Sequence, residues 1–484
     1  MRIHAARTST RCKAAGRSTT GWALLIVSTI TIAVALRATS ASGDLVTPQG
    51  APTTFKPSIV NGTVTSAYPT TGALLIYDDA SQSTFSTFCS GTLIGCQTFL
   101  TAAHCVCPDN TDRAETCQQH GLSDPSTLQV FLQHGGLFGV TRVAINPDYV
   151  FGQGGDLAVI TLSEPVAGIA PSPLNILQQP AAGTAGTIVG FGSTNGGRNG
   201  VDDAGIKRDG AVAVGVCTGN LPPETNVCWN FLGPGANTCE GDSGGPLFVD
   251  FGSGAVLAGV TSGGGSLSCQ APDLPFDTDV FVYGSWIAGQ AAGDVSSLAC
   301  GSLPAVGTDS TAVLDSTGEL SAAQPEAHWD FTVPADTRTL RITLNAPPWS
   351  GPGGETMNDF DLYVRAGSAP NASQYDCRDV NPTAFGFCEI STPVPGPWSV
   401  LVSRVSGSAP FQLTATTFAA PVSNSCAGDC NNDGSVTADE LLIAVSIALG
   451  SMDITACRAG DLDGNGSISI DEILTAVSSA LNDC

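Results

Sequence analysis

The alternation of apolar and polar residues divides the chain into regions of different predicted structure. From residue 59 to about residue 291, short apolar runs are separated by glycine-rich turns. Such runs, bounded by turn residues, are typical of an all-β barrel or sandwich. A short helix is expected at the end of this region, near Trp286. The predicted strands include Gly72–Ile76, Leu157–Leu162, Gly186–Phe191 and Ala255–Val260.

A second set of strands is predicted after a polar stretch at residues 301–325, which we expect to be a linker. Residues 326–420 then form a small β-sandwich. Its predicted strands are Trp329–Val333, Leu340–Leu344, Phe360–Val364, Trp398–Val402 and Phe411–Thr417.

Beyond residue 420 the apolar spacing becomes helical. Two helices are expected to pack on each other through equivalent apolar faces. These faces are Leu441, Leu442, Val445, Ala448 and Leu449 in the first helix, and Ile473, Leu474, Val477, Ala480 and Leu481 in the second.

The first residues have the order of a secretory signal peptide. Residues 1–20 are basic and polar, residues 21–36 are apolar, and small residues follow. We predict a signal peptide over 1–41 and, from its irregular composition, a propeptide over 42–58. The alternative is an uncleaved membrane anchor, for which this apolar run is short.

Composition and charge narrow the possible partners. The 484 residues carry 18 basic and 43 acidic side chains, a formal charge of −25. Such a chain repels nucleic acid and anionic lipid, so we expect neither a nucleic-acid partner nor a membrane partner after signal removal. Seventeen cysteines in a chain with a predicted signal peptide indicate a secreted, extracellular protein. The sixteen after the leader form even groups at 89–300, 377–388 and 426–484.

Short motifs carry the candidate chemistry. They are I-V-N-G at 59–62, T-A-A-H-C at 101–105, G-D-L-A-V-I-T-L at 155–162 and G-D-S-G-G-P at 241–246. A serine hydroxyl needs an adjacent base, histidine has a suitable pKa, and a carboxylate orients the imidazole. The order and spacing of the motifs resemble the chymotrypsin/trypsin-like serine proteases. The resemblance implies a double β-barrel serine protease domain, which we place at 59–300.

The resemblance also implies catalytic roles. His104 is the expected general base, Asp156 its orienting carboxylate and Ser243 the nucleophile. The backbone N–H groups of Gly241 and Ser243 are the expected oxyanion hole. The other histidines of the mature chain are expected at the surface: His120, His134 and His328.

An activation step follows from the same resemblance. Cleavage before Ile59 would free an α-amino group that pairs with Asp242, and the uncleaved zymogen is expected to be inactive. The residue before this bond is Ser58. Because related precursors often carry a basic residue there, the sequence does not favour a trypsin-like activating protease.

The resemblance places the substrate pocket around Asn237, Ser262 and Gly264. A neutral amide at Asn237 cannot form the ion pair by which an aspartate selects Lys or Arg. One hypothesis is therefore cleavage after a polar or medium-sized residue. Basic specificity is the alternative, if Asp277 or Asp279 reaches the pocket. The implied family disulfides are Cys89–Cys105, Cys217–Cys228 and Cys239–Cys269, which leaves Cys96, Cys107, Cys117 and Cys300 unassigned.

Residues 326–420 resemble the bacterial pre-peptidase C-terminal domain. The resemblance rests on H-W-D-F-T-V-P, D-F-D-L-Y-V-R-A-G, Y-D-C and P-G-P-W-S-V-L-V. It implies a Cys377–Cys388 bridge and a role in adhesion, substrate contact or secretion. Asp359 and Asp361 lie on one face of a strand, as a calcium pair or, the favoured interpretation, as a solvated surface.

Two twelve-residue repeats near the end of the chain have the oxygen spacing of EF-hand calcium loops. They read D-C-N-N-D-G-S-V-T-A-D-E and D-L-D-G-N-G-S-I-S-I-D-E. With one helix after each loop, residues 421–484 resemble a dockerin-like EF-hand pair. The alternatives are acidic turns that bind nothing, and a stability module without a partner. The expected Ca²⁺ ligands are Asp429, Asn431, Asp433, Ser435, Thr437 and Glu440, then Asp461, Asp463, Asn465, Ser467, Ser469 and Glu472.

The sequence thus predicts a mainly β, secreted serine endopeptidase that hydrolyses peptide bonds through an acyl-enzyme. Its substrates are expected to be proteins or peptides, with no cofactor for catalysis and Ca²⁺ only in the C-terminal repeats. The C-terminal modules are expected to contact a protein or cell-surface partner. The alternative from another class is a non-catalytic secreted adhesion or scaffold protein.

Overall fold

The computed structural model describes residues 59–481, except for short gaps. The gaps are 79–84, 109–110, 196–202, 253, 267, 297–299, 301–302, 304, 307–309, 351–355, 420–425, 432–434 and 463–465. The predicted signal peptide (1–41) and propeptide (42–58) lie outside the described residues. So do three of the expected calcium ligands: Asp433, Asp463 and Asn465.

Six antiparallel strands close a barrel in the first part of the protease region. Strand β1, Thr63–Val64, precedes the barrel, and helix α1, Ala114–His120, follows its third strand. The interior is filled by fully buried side chains such as Leu74, Phe99 and Ile160. The barrel has the order β2-β3-β4-β7-β6-β5, with β2 Thr71–Tyr77, β3 Phe85–Leu93, β4 Thr98–Thr101, β5 Leu128–Leu132, β6 Gly136–Ile145 and β7 Ala158–Leu162.

A seven-stranded antiparallel sheet forms the second part of this region. Its core contains Ile188, Trp229 and Leu247. Helix α2, Val280–Gln290, follows the sheet and begins where the Asp279 carboxylate accepts a hydrogen bond from the N–H of Phe281. This confirms the helix expected near Trp286. The sheet has the order β1-β9-β8-β11-β12-β13-β10, with β8 Ala185–Gly190, β9 Arg208–Ala213, β10 Asn226–Cys228, β11 Pro246–Asp250, β12 Ala255–Gly263 and β13 Phe276–Asp279.

Two four-stranded sheets with a buried core between them form the predicted β-sandwich. Their orders are β14-β23-β16-β21 and β15-β22-β19-β20, and β17 pairs with β18 beside them. The strands are β14 Ser310–Leu320, β15 Glu326–Val333, β16 Thr337–Asn345, β17 Trp349–Ser350, β18 Thr356–Met357, β19 Asp359–Ala366, β20 Cys377–Asp379, β21 Phe385–Ser391, β22 Gly396–Ser406 and β23 Ala409–Ala419.

The expected linker at 301–325 is wrong over residues 310–320. These residues form β14, which pairs with β23 along its whole length. The strand is rich in serine and threonine, with its side chains mostly exposed or half-buried. A strand at the edge of a sheet needs fewer apolar side chains than a central strand. The polar composition of residues 310–320 therefore indicated a linker although they form a strand.

The sandwich packs directly against the protease region. One continuous apolar cluster contains Phe131 and Phe191 together with Phe385 of the sandwich. The rings of Phe131 and Phe385 lie 5.1 Å apart at a steep angle. His134, expected at the surface, is 3% exposed in this interface. Its ring forms a hydrogen bond with the hydroxyl of Thr416 at 2.8 Å. Thr416 is 282 residues away in the chain, so the polar residues next to His134 in sequence did not indicate its environment.

The C-terminal region contains helices α3, Ala438–Ala448, and α4, Ile470–Leu481, which contact each other. The prediction for their packing faces is wrong in part. Small side chains, Ala444 and Ala476, are fully buried. Larger members of the predicted faces are exposed instead: Leu442, Leu449, Leu474 and Leu481.

Disulfides connect the cysteines within each of the expected groups. The unassigned cysteines form Cys96–Cys300 and Cys107–Cys117. The bridges implied by resemblance are all present, namely Cys89–Cys105, Cys217–Cys228, Cys239–Cys269 and Cys377–Cys388, and Cys430–Cys457 joins the C-terminal region. Across the described residues, no helix has the length and hydropathy of a bilayer span.

Candidate active site

Neighbouring strands of the barrel bring His104 and Asp156 together. His104 lies in a short 3₁₀ turn, Ala103–Cys105, one residue beyond β4, and Asp156 lies two residues before the start of β7. Because β4 pairs with β7, with Thr101 opposite Ala158, the two side chains start from adjacent points. Nδ1 of His104 lies 2.7 Å from Oδ2 of Asp156, and the His104 backbone N–H donates to Oδ1 at 3.0 Å.

Asp156 is held by a further hydrogen bond from the second sheet. The Ser262 hydroxyl donates to its Oδ2 at 2.6 Å. Burial alone would raise the pKa of the Asp156 carboxyl, but the charge of His104 and the hydrogen bonds from His104 and Ser262 hold it below its usual value. Burial alone would lower the pKa of His104, but Asp156 raises it above 6.5. Asp156 thus stabilises the imidazolium.

The turn that carries Ser243 lies against the same part of the barrel. Gly244, with φ +81°, is so close that a Cβ there would lie 2.8 Å from the backbone nitrogen of Ala102. The backbone N–H of Ser90 donates to the Ser243 carbonyl at 2.8 Å. These contacts hold the Ser243 turn against Ala102 of the barrel, which lies two residues before His104 in the chain.

The described residues do not include a hydrogen bond between the His104 ring and the Ser243 hydroxyl. Catalytic hydrogen bonds are often long in sites without substrate and shorten in the complex. The ring of His104 is also bounded on one side by Phe151, whose ring lies 5.8 Å away at a right angle. The position of His104 is thus fixed by Asp156 and Phe151 before a substrate binds.

Two backbone donors are free in the turn around Ser243. Among the residues that the structure describes, nothing accepts a hydrogen bond from the N–H of Gly241 or of Ser243. Gly241 has φ +91°, in the region that favours glycine. Its carbonyl is turned away, toward the Ser90 hydroxyl at 2.9 Å. The two N–H groups can therefore bind an oxyanion.

The intervening Asp242 is almost completely buried. Its carboxylate accepts hydrogen bonds from the N–H groups of Gly192 at 2.8 Å and Cys239 at 2.9 Å. Burial raises the pKa of Asp242 to about 7, against the effect of these bonds and of nearby Arg208. Ile59 is also fully buried, in the core of the second sheet.

The residues expected in the substrate pocket have different environments. Asn237 is fully buried, and a Cβ at Gly264 would lie 2.9 Å from Oδ2 of Asp273. Neither of the acids considered from the sequence bonds to Asn237. Asp277 lies against Gly259, and the Asp279 carboxylate accepts from the N–H of Phe281 at the start of α2. The carboxylate beside Asn237 is Asp273, at 2.8 Å.

Sequence reasoning missed Ser90, Phe151 and Asp273. No motif surrounds them, and each was identifiable only by its contacts. The Ser90 hydroxyl also accepts a hydrogen bond from the N–H of Phe191 at 2.9 Å, so it joins the two halves of the protease region. Phe151 packs edge-on against Phe276 and occupies space beside Gly263.

A six-stranded barrel and a second β-sheet with a histidine–aspartate pair beside a G-D-S-G-G-P turn define a serine endopeptidase. The profile of the family described as Trypsin matches residues 59–287. A trypsin of Saccharopolyspora erythraea is 31% identical over 39% of this chain and 79% of its own. A tryptase of Mus musculus is 30% identical over 41% of this chain and 77% of its own. The chain belongs to the trypsin family of serine proteases.

Two further likenesses were found. Residues 326–404 match the bacterial pre-peptidase C-terminal domain, in agreement with the sandwich. The structure of neuropsin, a serine protease expressed in the limbic system of mouse brain, aligns with 48% of this chain and 99% of its own. The sequence identity is 23% and the TM-score 0.36.

Proposed function

We propose that the chain is a secreted endopeptidase whose catalytic residues are His104, Asp156 and Ser243. The observation that carries the proposal is the carboxylate of Asp156, which His104 and Ser262 bind together. A buried carboxylate with two such partners fixes the tautomer and orientation of the imidazole. Secretion is supported by the disulfides and by the order of basic, apolar and small residues at the start of the chain.

The reaction follows from these positions. Ser243 Oγ attacks the carbonyl carbon of the scissile bond while Nε2 of His104 takes the hydroxyl proton. The carbonyl oxygen becomes an oxyanion, bound by the N–H groups of Gly241 and Ser243. His104 then gives the proton to the leaving amine nitrogen as the C–N bond breaks. In the second half, His104 takes a proton from water, the hydroxide attacks the acyl-enzyme, and Ser243 regains its proton.

A fluorophosphonate probe tests this assignment, because it reacts only with an activated serine. We expect the probe to label the processed wild-type protein at Ser243 and to leave Ser243→Ala unlabelled. Ser163→Ala, which changes an exposed serine, is the matched control and should be labelled as the wild type is. Peptide hydrolysis at the wild-type rate by Ser243→Ala would contradict the proposal, because it would show that Ser243 is not the nucleophile.

The proposal includes synthesis as a zymogen activated by cleavage before Ile59. It is supported by Asp242, an almost completely buried carboxyl that would gain from a cationic partner. The new α-amino group of Ile59 would provide that charge and order the turn around Gly241 and Ser243. Ser58 precedes the bond, so a protease without basic specificity is the proposed activator.

The proposal also includes Ca²⁺ binding by the C-terminal repeats. Support comes from the last carboxylate of each loop, which folds back to the start of its loop. Glu440 accepts from the N–H of Cys430 at 2.9 Å, and Glu472 accepts from the N–H of Leu462 at 2.7 Å. Asp429, Glu440 and Glu472 are buried acids, and an oxygen set of this kind fits a hard cation. The ions would stabilise the loops without taking part in peptide hydrolysis.

A further inference from the structure

One face of the sandwich presents buried amide side chains to the protease region. Along β16 and β23, the residues Ile342, Leu344 and Leu413 belong to the apolar core of the sandwich. Asn345 and Gln412 lie opposite each other in the register of the two strands and are 0% and 1% exposed. The Asn345 amide donates to Oε1 of Gln412 at 2.8 Å. Buried amides are unfavourable unless they are paired, so this face fits only a surface that supplies matching groups.

The matching groups are backbone atoms of two protease segments. Oε1 of Gln412 accepts from the N–H of Lys207 at 2.6 Å, and its Nε2 donates to the carbonyl of Thr65 at 3.1 Å. Because one end of the amide binds an N–H and the other a carbonyl, its orientation is fixed. The N–H of Thr65 in turn donates to the carbonyl of Lys207 at 3.1 Å. Gln412 therefore closes the end of the pairing between β1 and β9.

Both bridged strands are connected to Ile59. Strand β1 begins at Thr63, shortly after Ile59 in the chain. Strand β9 contains Gly210, where a Cβ would lie 3.1 Å from Cγ2 of Ile59. The fully buried Ile59 side chain thus lies against the strand whose first turn of backbone Gln412 holds. The position of Ile59 depends on the pairing that Gln412 completes.

Asn345 binds the segment that precedes β9. Its amide donates to the carbonyl of Gly205 at 2.8 Å, and the N–H of Gly205 donates to the carbonyl of Phe191 at 2.6 Å. Gly205 has φ +105°, and a Cβ there would lie 2.5 Å from the carbonyl oxygen of Ala346. Only glycine permits this approach. The backbone of the sandwich is therefore in direct contact with this segment.

Phe191 connects this contact to the proposed oxyanion turn. Gly192, the next residue, donates its N–H to Oδ1 of Asp242 at 2.8 Å. The N–H of Phe191 donates to the Ser90 hydroxyl, which itself donates to the Gly241 carbonyl. The Phe191 side chain is fully buried in the apolar cluster that the protease region shares with the sandwich. The sandwich thus contacts the residue that holds both ends of this network.

We infer that Gln412 and Asn345 are positioning residues of the protease, so that the sandwich is a working part of the active enzyme. They hold the segments on which the buried Ile59 terminus and the turn around Ser243 depend. This role rests on the proposed activation before Ile59 and on acyl transfer by Ser243. If these bonds are lost, fewer molecules have the ordered turn, and the apparent affinity for substrate falls by the ordered fraction.

The test uses the processed full-length enzyme with Gln412→Met, which keeps the length of the side chain and removes both backbone bonds. We expect kcat/KM on one peptide to fall by about fivefold or more, the lower end of typical couplings between sites. Arg341→Met is the matched control. Arg341 is also buried in the sandwich and donates to the carbonyl of Ala167 at 2.6 Å, outside both segments. This variant should keep the wild-type kcat/KM.

A second measurement reports on Ile59 directly. Cyanate carbamylates a free α-amino group, and mass spectrometry measures the extent of the reaction at Ile59. We expect carbamylation to be slow in the wild type and in Arg341→Met, and about fivefold or more faster in Gln412→Met. Reaction of Ser243 with a fluorophosphonate should restore slow carbamylation in Gln412→Met, because the adduct favours the ordered turn. A residue that only stabilised the fold would not show this restoration.

Asn345→Leu is the second variant, and it removes the bond to Gly205 from the same face. It should change kcat/KM and carbamylation in the same direction as Gln412→Met. Wild-type values of both quantities in these two variants would overturn the positioning role. Equal losses in Arg341→Met would also overturn it, because any weakening of the interface would then suffice.

The outcomes separate this role from the proposed function. Fluorophosphonate labelling of the wild type at Ser243, combined with wild-type behaviour of Gln412→Met and Asn345→Leu, leaves the acyl-transfer reaction intact and removes the sandwich from it. A processed wild-type protein that is neither labelled nor active on any peptide overturns the proposed function itself.

Discussion

The Ser262 hydroxyl and the Asp156 carboxylate lie 2.6 Å apart, although 106 residues separate them in the chain. This hydrogen bond joins the second sheet to the histidine–aspartate pair of the barrel. The sequence predicts Ser262 only in the pocket wall, and this contact predicts a second role for it, in positioning Asp156. Its loss should affect catalysis more than substrate binding.

We expect Ser262→Ala to lower kcat by about tenfold to a hundredfold with a small effect on KM. A hydrogen bond to a charged group contributes about 1.5–3 kcal/mol, and about 1.4 kcal/mol corresponds to tenfold in rate. Steady-state kinetics on one peptide, with Ser262→Thr as a hydroxyl-retaining rescue, provide the measurement. A change confined to KM would argue that Ser262 only contacts substrate.

The pH profile should report the coupling between His104 and Asp156. Only neutral His104 can take the proton from Ser243, so kcat/KM should fall as the pH drops through the pKa of His104. Asp156 raises that pKa above 6.5, and the midpoint of the acid limb should therefore lie above 6.5. Asp156→Asn should move the midpoint lower and reduce kcat by at least about 10²-fold.

The matched control for this profile is Asp336→Asn, which neutralises an exposed carboxylate in the sandwich. It should leave both the midpoint and kcat unchanged. An acid limb that stays in place in Asp156→Asn would show that another group controls it.

The proposed activation is open to a direct measurement. Mass spectrometry of the secreted, active protein should find Ile59 as the first residue. Asp242→Asn should then lower kcat/KM by at least about 10²-fold even after this cleavage, because the buried α-amino group loses its counter-charge. Full activity of processed Asp242→Asn, or of a protein that still carries residues 42–58, would contradict the mechanism.

The interface between the protease region and the sandwich should weaken in acid through His134. Burial and the charge of Lys207 lower the pKa of His134 to about 4, against the effects of the Ser66 carbonyl and Asp315. Between pH 6.5 and 4, the unfolded chain binds a proton here that the folded chain does not. Stability should therefore fall as the pH is lowered through this window, by about 3 kcal/mol.

Thermal unfolding at pH 7 and pH 4.5 tests this contribution. In His134→Gln the residue no longer titrates, so the decrease in Tm between the two pH values should be smaller than in the wild type. His120→Gln changes an exposed histidine and should keep the wild-type decrease. Equal decreases in all three proteins would assign the acid sensitivity to other groups.

Calcium should stabilise the C-terminal region through Glu440 and Glu472. Replacing EGTA with excess CaCl₂ should raise the Tm of this region in the wild type. The double variant Glu440→Gln/Glu472→Gln should lose this rise, because each loop loses its buried terminal carboxylate. The double variant Asp439→Asn/Asp471→Asn removes exposed acids one position earlier and should behave as the wild type does. A rise that survives the first pair would place the calcium elsewhere.

Much of the fold could be predicted because it depends on local patterns. Runs such as Leu157–Leu162 became strands since an apolar segment bounded by turn residues has few other ways to be buried. The family resemblance added the place of His104 beside Asp156. Its disulfides also formed as expected, for example Cys239–Cys269.

The sequence by itself determined the class of the enzyme, because its motifs are short, contiguous and in a fixed order. Only the tertiary structure shows which carboxylate lies beside Asn237. Asp273 lies 36 residues from Asn237 in the chain, with no motif of its own. The tertiary structure also brings His134 within hydrogen-bonding distance of Thr416, 282 residues away. Periodicity describes the neighbours of a residue along one element, whereas these partners are set by how separate sheets pack.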